Sequence, residues 1–313
     1  MADKKIIAVM GATGAQGGGL VRAIQADPDG PFRARAITRN ANSEAAQALT
    51  ALGAEVVEAN ADDGPSITKA FAGAAGAYCV TFYWAHMDPE REIAEAHTLA
   101  DAAKQADVGH VIWSTLEDTR LWVPLESNEM PTIHDHYKVP HFDTKGESNR
   151  FFFTRVPTTF LLTSFYWDNL IHFGMNPKPD GNGRYMFVLP MGDVKMPGIG
   201  AEDIGKCAYG IFKDGIVNNT VGVSGEHLNG AEMAAILSEV LGIDCYHAPV
   251  TPEQYRGFGF PGADDLGNMF QFYRDYEKDF REHRDPAVAR KLNPELQDFR
   301  TWVTANKDRI PLT

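Results

Sequence analysis

The chain has 313 residues, of which 44% are hydrophobic and 23% are charged, and its formal net charge at pH 7 is −13. These proportions are typical of a globular protein with about two domains. The negative charge argues against direct binding of nucleic acid, because a phosphate backbone requires a basic surface. No stretch approaches the roughly 20 apolar residues that cross a bilayer, so we predict a cytoplasmic protein that does not bind membranes.

The first half of the chain alternates between strand-like and helix-like segments. Strands are predicted over residues 5–10, 32–38, 55–59, 76–82, 108–114 and 158–163, and helices over 17–25, 43–52, 66–71, 89–106 and 144–153. Such alternation predicts βαβ units and therefore an α/β fold with a Rossmann-type, doubly wound parallel sheet. We place this domain at residues 1–169.

After residue 169 the alternation gives way to turn-rich sequence and to predicted helices over 202–212, 231–241 and 264–281. This change predicts a smaller C-terminal α/β region over 170–313 that faces a substrate or partner. Strands from 185–225 are candidates to return to the first sheet.

Neither the cysteines nor the histidines have the spacing of a metal site. The three cysteines are Cys79, Cys207 and Cys245. They are far apart and form no Cys-x-x-Cys motif, which predicts buried free thiols rather than disulfides or zinc ligands. The segment HDHYKVPH, from His134 to His141, matches no zinc pattern. We predict no bound metal and leave the role of this segment open.

A glycine-rich turn follows the first predicted strand, in the sequence MGATGAQGGGL over residues 10–20. Gly11, Gly14 and Gly17 are spaced three residues apart, directly between a strand and a helix. This is the dinucleotide arrangement, in which glycines permit the tight turn, the approach of a pyrophosphate and close packing of the helix. The phosphates then lie at the positive end of the helix.

The end of the second predicted strand distinguishes between the two nicotinamide dinucleotides. An NAD site places an acidic residue there, whereas a 2′-phosphate is bound by a cation. The chain reads AITRN over residues 36–40, with Arg39 and no acidic residue. We therefore predict NADP(H) as the cofactor, the alternative being a solvated arginine.

Several segments together make the chain resemble the NmrA-like family, in particular its HSCARG-type members. They are GATGAQGG, VVEANADD, VTFYW, HFDTKGE, FYWDNL and FPGADDLGNMFQFY. The resemblance covers residues 4 to about 310. It implies an atypical short-chain dehydrogenase/reductase with NADP(H) preference, often a nucleotide-responsive regulator rather than an enzyme.

The resemblance also implies a set of cofactor contacts. They are Gly11, Ala12, Thr13, Gly14, Ala15, Gln16, Gly17, Thr38, Arg39, Asn40, Ala41, Asn42, Asn60, Ala61, Thr81, Phe82, Tyr83, Lys145, Tyr166, Trp167, Asp168 and Asn169. Two departures from the family pattern stand out. The insertion over 126–139 leaves the shape of the substrate-side rim open, and Asn60 stands where many relatives carry Asp.

The catalytic machinery of the superfamily is only partly present. Active members use a Tyr-x-x-x-Lys pair, but here His141 and Lys145 occupy these positions. Lys145 is expected to hold the ribose, and His141 either donates a proton or has a structural or ribose-side role. A neighbouring ammonium would make His141 a poor acid. Ser114, at the end of the fifth strand, either orients a carbonyl or caps the strand.

Two functions follow, and we favour the first. In the first, the protein is a sensor of the NADPH/NADP⁺ ratio that acts through a regulatory protein partner or as a homodimer. In the second, it is an NADPH-dependent reductase of a small carbonyl, quinone or conjugated substrate. In that case aromatic side chains near residues 82–84 and 165–167 would line an apolar pocket. A cofactor-independent, DNA-associated regulator would leave the glycine turn unexplained.

Overall fold

The computed structural model describes residues 4–312, which form one large and two small sheets. The strands are β1 (Lys5–Val9), β2 (Phe32–Thr38), β3 (Glu55–Glu58), β4 (Gly76–Cys79), β5 (His110–Thr115), β6 (Thr158–Leu162), β7 (Phe165–Tyr166), β8 (Lys178–Pro179), β9 (Tyr185–Val188), β10 (Met196–Ile199), β11 (Thr220–Gly222), β12 (Glu226–Leu228) and β13 (Cys245–Ala248).

Thirteen helices surround the sheets in the described part of the chain. They are α1 (Ala15–Gln25), α2 (Glu44–Ala51), α3 (Gly64–Phe71), α4 (Pro89–Gln105), α5 (Pro140–Phe153), α6 (Asn169–His172), α7 (Ala201–Asp214), α8 (Gly230–Leu241), α9 (Pro252–Arg256), α10 (Ala263–Asp275), α11 (Glu277–Glu282), α12 (Pro286–Leu292) and α13 (Phe299–Asn306). No helix within residues 4–312 combines the length and the apolar character needed to cross a membrane.

The central sheet has the order β11-β6-β5-β4-β1-β2-β3, and its strands are all parallel. The order reverses at β1, which pairs with both β2 and β4. In an open parallel sheet this reversal creates a crevice at the carboxyl ends of the strands. The predicted Rossmann-type fold is confirmed.

The C-terminal region contributes to two three-stranded sheets, ordered β12-β10-β7 and β13-β9-β8. Its own core is rich in aromatic side chains, among them Trp167, Phe270, Phe299 and Trp302. Strand β11 nevertheless pairs with β6 in the central sheet. The division into domains at residue 169 stays a prediction.

Most predicted elements differ from the observed ones by one or two residues at their ends; the fourth strand, predicted to residue 82, ends at Cys79, and two helices differ more. Helix α5 begins at Pro140 rather than at residue 144, because proline is favoured in the first turn of a helix, where its missing N–H has no partner. The helix predicted over 264–281 is instead α10 and α11, which are separated at Tyr276, whose ψ of 31° is not helical. All three cysteines are buried free thiols, as predicted.

Helix α1 is held against α7 by glycines that bring the two backbones into contact. A Cβ added at Gly19 would lie 2.6 Å from the carbonyl oxygen of Glu202, and one added at Gly205 would collide with the backbones of Gly19 and Leu20. Gly17 therefore permits the tight turn, whereas Gly19 permits the close crossing of α1 and α7. The C-terminal half of the chain thus positions the helix that follows the glycine turn.

The insertion over 126–139 is anchored away from the crevice. The fully buried Lys138 donates from Nζ to the carbonyl oxygens of Ser127 and Met130, both at 2.8 Å. From α10, Asn268 donates to the carbonyl oxygens of Pro131 and Lys138. None of these insertion residues lines the cavity described below, so the insertion does not shape its rim directly.

Candidate functional site

The glycine turn between β1 and α1 has the conformation that a bound pyrophosphate requires. Gly11 has a φ of 60°, which favours glycine, and its carbonyl oxygen accepts a hydrogen bond of 2.8 Å from the N–H of Gly14. A Cβ at Gly17 would lie 2.5 Å from the Gly11 oxygen. No side chain caps the N-terminus of α1 and no acidic residue lies in its first turn. Its free N–H groups and positive dipole end therefore suit an anion.

A cavity of about 410 Å³ opens beside this turn. Predicted site residues that line it are Gly11, Gly14, Ala15, Gln16, Gly17, Thr81, Phe82, Tyr83, Ser114, His141, Lys145, Tyr166, Asp168 and Asn169. The cavity thus brings together groups from both halves of the chain, which lie on helices α5 and α10, at strand ends and in the loop after β4.

The other predicted residues lie outside this cavity. They are Ala12, Thr13, Thr38, Arg39, Asn40, Ala41, Asn42, Asn60, Ala61 and Trp167. Trp167 is 1% exposed, and its ring packs in the C-terminal core against Phe299 and Trp302. A direct cofactor contact by the Trp167 ring therefore does not fit this position.

The end of β2, from which the loop with Arg39 leaves, flanks the glycine turn, since Ala12 N–H donates to the carbonyl oxygen of Ile37. Arg39 is exposed on this loop. One acidic side chain does reach it from β3, because Glu58 Oε2 accepts a hydrogen bond of 3.2 Å from Ala41 N–H. The sequence argument considered only the end of β2 and missed this carboxylate.

Gln16 forms a hydrogen-bonded centre behind the turn. Its Oε1 accepts from the hydroxyls of Ser114, at 2.8 Å, and Tyr78, while its Nε2 donates to Tyr166 Oη. Burial raises the pKa of Tyr166 to about 12. The Ser114 hydroxyl hydrogen is thus engaged by Gln16, which supports a structural role for Ser114 more than a catalytic one.

Lys145 is paired with a buried carboxylate that the sequence argument missed. Its Nζ donates to Glu92 Oε1 and to Thr81 Oγ1, both at 2.7 Å, and the Thr81 hydroxyl donates to the same Glu92 oxygen at 2.5 Å. Glu92 is fully buried. It lies on the apolar face of α4, in line with Ala96 and Leu99, and an acidic residue in that row is the signal that could have identified it.

Within residues 4–312 one group of side chains has a metal-like arrangement, formed by His86, Glu92 and Glu95. His86 Nε2 lies 3.4 Å from Glu92 Oε2. However, the N–H of Asp88 donates to His86 Nδ1 at 3.0 Å. A neutral imidazole with an accepting Nδ1 carries its hydrogen on Nε2, so Nε2 presents a hydrogen to Glu92, without completing a hydrogen bond, rather than a lone pair to a metal. We assign no metal to this group.

His141 is oriented by Asp265, a residue 124 positions away on α10. The His141 Nδ1 lies 2.5 Å from Asp265 Oδ1, and the backbone N–H of His141 donates to Oδ2 at 3.2 Å. Both side chains are buried. A carboxylate on Nδ1 fixes the tautomer and leaves Nε2 for the cavity.

This geometry corrects the charge argument made from the sequence. That argument treated Lys145 as an unopposed positive charge beside His141, whereas Lys145 is compensated by Glu92 and His141 has its own carboxylate. Each of the two side chains thus has its own carboxylate, and the expectation that His141 is a poor acid stays a prediction. The aspartate could not be found locally, since Asp264 and Asp265 are adjacent acids with no distinguishing pattern.

Aromatic and aliphatic side chains form the half of the cavity away from the glycine turn. Tyr83 and Trp84 contact the His141 ring, with centroid distances of 6.1 and 4.7 Å. Phe142, from α5, packs against Tyr273, from α10. Phe82 is 57% exposed and lines the cavity, so it lies where the cavity meets the surface.

These features define a Rossmann-type α/β protein with a dinucleotide-like turn opening into a largely apolar cavity. The chain belongs to the NmrA-like family, whose pattern matches residues 3–303. It is 32% identical over 289 residues to the NmrA-like family domain-containing oxidoreductase FrzB of Cladobotryum sp., covering 85% of this chain and 83% of that relative. The predicted family membership is confirmed.

Solved structures agree with this fold. NmrA, a negative transcriptional regulator solved in complex with NADP, aligns with a TM-score of 0.78 at 24% identity, covering 96% of this chain and 94% of the other. The triphenylmethane reductase of Citrobacter sp., complexed with NADP(H), aligns with a TM-score of 0.71 at 23% identity, covering 96% and 99%. Both neighbours hold the nucleotide that the sequence predicted for this chain.

Proposed function

We propose that this protein is an NADP(H)-dependent oxidoreductase that acts on an apolar, conjugated substrate. One observation carries the proposal: a single cavity joins the glycine turn and Lys145 to an aromatic pocket lined by His141, whose Nδ1 is held by Asp265. A protein that only binds a nucleotide has no need of an oriented imidazole in an apolar pocket beside it. The curated relatives named as oxidoreductases, FrzB among them, support the same class of activity.

The residues present fit an NADP(H) molecule. The turn from Gly11 to Gly17 packs so closely on itself that a Cβ at Gly17 would collide with the Gly11 backbone, and the uncapped end of α1 would compensate the charge of a pyrophosphate. Arg39 would bind the 2′-phosphate, and Lys145 the nicotinamide ribose. The bound cofactor supplies hydride transfer, and the protein supplies binding and orientation.

The aromatic half of the cavity would bind the substrate and exclude water. Its walls come from Tyr83, Trp84, Phe142 and Met269, which favour a flat, apolar molecule. His141 Nε2 can take up a proton and deliver it to the substrate. The Asp265 carboxylate then compensates the positive charge that the ring carries.

The test is NADPH consumption, followed by absorbance, with a panel of apolar ketones and quinones. We expect turnover, and a fall in kcat of about 100-fold or more in His141→Ala, as is usual when a general acid is removed. The dissociation constant for NADPH should not change. His136→Ala, an exposed histidine, is the control. Background turnover across the panel in protein that binds NADPH would contradict the proposal.

A redox sensor is the second candidate, and the description of NmrA as a negative transcriptional regulator favours it. A sensor needs different affinities for NADPH and NADP⁺, or a conformation that depends on occupancy. Titration of both nucleotides and solution scattering of the free and bound protein test this. Equal dissociation constants with identical scattering curves would contradict the sensor hypothesis. The predicted regulatory partner or homodimer would then have no role in sensing.

A further inference from the structure

The Tyr273 side chain is the one cavity-lining phenol that comes from the C-terminal region. Its ring is 3% exposed and is stacked on Phe280, with centroids 4.2 Å apart. It also contacts Phe142, which in turn contacts the His141 ring at 4.9 Å. Tyr273 and His141 therefore both contact the same phenylalanine.

The Tyr273 hydroxyl makes no hydrogen bond within residues 4–312. In this part of the chain, the side-chain polar atoms that are both inaccessible to solvent and without a hydrogen-bond partner are His86 Nε2 and Glu92 Oε2. The Tyr273 oxygen is not one of them, so it keeps some accessible surface. Because the residue is otherwise buried and lines the cavity, the cavity is the open space available to this hydroxyl, which also lies within electrostatic reach of the Arg284–Glu117 pair and of Tyr166. A buried hydroxyl that lacks a partner in the free protein is suited to bind a ligand.

The hydroxyl remains a donor throughout the ordinary pH range. Burial raises the pKa of the Tyr273 phenol, so the proton stays on the oxygen. The other cavity tyrosines differ in their surroundings. Tyr166 is bound to Gln16, and Tyr83 belongs to the loop for which cofactor contacts are predicted.

We propose that the Tyr273 hydroxyl donates a hydrogen bond to the acceptor oxygen of the substrate, which is therefore an aryl ketone or a quinone. This inference rests on the proposed function and specifies its substrate class. The flat apolar part of such a molecule fits between the aromatic walls. Its oxygen accepts a hydrogen bond from the Tyr273 hydroxyl, which donates none within the described chain. An apolar molecule without an acceptor would leave that donor unsatisfied.

The test compares two ligands that differ by one oxygen, 1-indanone and indane. Their binding to NADP⁺-saturated protein is measured by quenching of tryptophan fluorescence, in wild type and in Tyr273→Phe. The substitution removes no hydrogen bond from the free protein and keeps the ring. We expect Tyr273→Phe to weaken 1-indanone about fivefold to tenfold and to leave indane unchanged.

Tyr255→Phe is the matched control, because Tyr255 is also buried and without a hydroxyl hydrogen bond in the described chain, but does not line the cavity. The proposal is overturned if wild type binds 1-indanone no more tightly than indane, or if Tyr273→Phe affects both ligands equally. Binding is measured without turnover. Tyr273→Phe can therefore weaken 1-indanone selectively even if the protein consumes no NADPH in the activity assay. That result would reject the oxidoreductase proposal and keep the oxygen-binding site.

Discussion

At the end of β2, Arg39 is exposed and forms no ion pair within the part of the chain that the structure describes. Its guanidinium is thus available to a phosphate beside the glycine turn. We expect Arg39→Ala to weaken NADPH and NADP⁺ selectively, by about 1–3 kcal/mol for a charged hydrogen bond, and to leave NADH unchanged. Calorimetric titration of the three nucleotides measures this. Arg33→Ala, near the other end of β2, is the control, and an equal loss for all three nucleotides would exclude Arg39 as the discriminating residue.

The Lys145–Glu92 ion pair also contributes to the stability of the folded protein. Both side chains are largely buried, with 11% and 1% exposed, so removing one charge leaves the other uncompensated. We expect Glu92→Gln to lower the free energy of unfolding by about 2 kcal/mol, less than for a fully sealed pair because Lys145 faces the cavity. The double variant Glu92→Gln/Lys145→Met should lose less than the sum of the single variants.

Urea unfolding of the four proteins forms a double-mutant cycle for this pair. Glu90→Gln is the control on the same helix, since Glu90 is exposed and lies in the first turn of α4. This substitution should change the free energy of unfolding by no more than about 0.5 kcal/mol. Strict additivity in the cycle would show that the two charges do not interact.

At the scale of elements, the crossing of α1 and α7 sets the position of the glycine turn. Gly205 faces the backbone of α1 so closely that a methyl group has no space, and the atoms around it are backbone atoms that cannot rotate away. We expect Gly205→Ala to lower the free energy of unfolding by about 3 kcal/mol and to weaken NADPH, because the helices must separate. Thermal unfolding and nucleotide titration measure the two effects.

Gly64→Ala provides the comparison for that experiment. Gly64 begins α3, and an added Cβ there would make only an ordinary contact of 3.5 Å with Thr98. Its substitution should be neutral or slightly stabilising, since alanine favours helices. A Gly205→Ala protein as stable as the Gly64→Ala protein would contradict the close packing described here.

At the scale of the whole molecule, a buried ion pair ties the C-terminal region to the sheet. Arg284 is fully buried, and its two terminal nitrogens donate to the Glu117 carboxylate at 2.6 and 2.8 Å. Its Nε donates to the carbonyl oxygen of Thr163, after β6. The bidentate geometry fixes the segment around Arg284 against the ends of β5 and β6.

The stability of the whole fold should also depend on pH through His110. This residue begins β5, its Nε2 lies 2.9 Å from Thr159 Oγ1, and burial lowers its pKa from 6.5 to about 4. The unfolded chain therefore takes up a proton more readily than the folded chain. The contribution of His110 is complete above pH 6.5 and is lost progressively as the pH falls towards 4, with a limit of about 3 kcal/mol.

Urea unfolding between pH 4 and pH 7 checks this sign. His110→Gln, which keeps a polar group near Thr159, should lose less stability than wild type over that interval. Chemical denaturation is repeated at pH 7 as the reference, where both proteins carry a neutral side chain at this position. Parallel pH curves for the two proteins would mean that another group causes the acid sensitivity.

Local patterns were sufficient to predict the glycine turn, the first six strands and the family, because each depends on residues close together in the sequence. The spacing of Gly11, Gly14 and Gly17 reports a turn conformation directly, and the alternation of strands and helices reports a parallel sheet. The start of α5 was predicted four residues too late, since a proline that cannot sit inside a helix can still begin one.

The partners of the charged side chains, in contrast, were decided by the tertiary structure alone. Asp265 meets His141, Glu92 meets Lys145 and Glu117 meets Arg284 only after α10, α4 and the C-terminal region pack on the sheet. No periodicity in the sequence encodes such contacts, because they depend on how far apart folded elements lie. The sequence determined which backbone can hold a nucleotide, and packing determined which side chains are left free to act beside it.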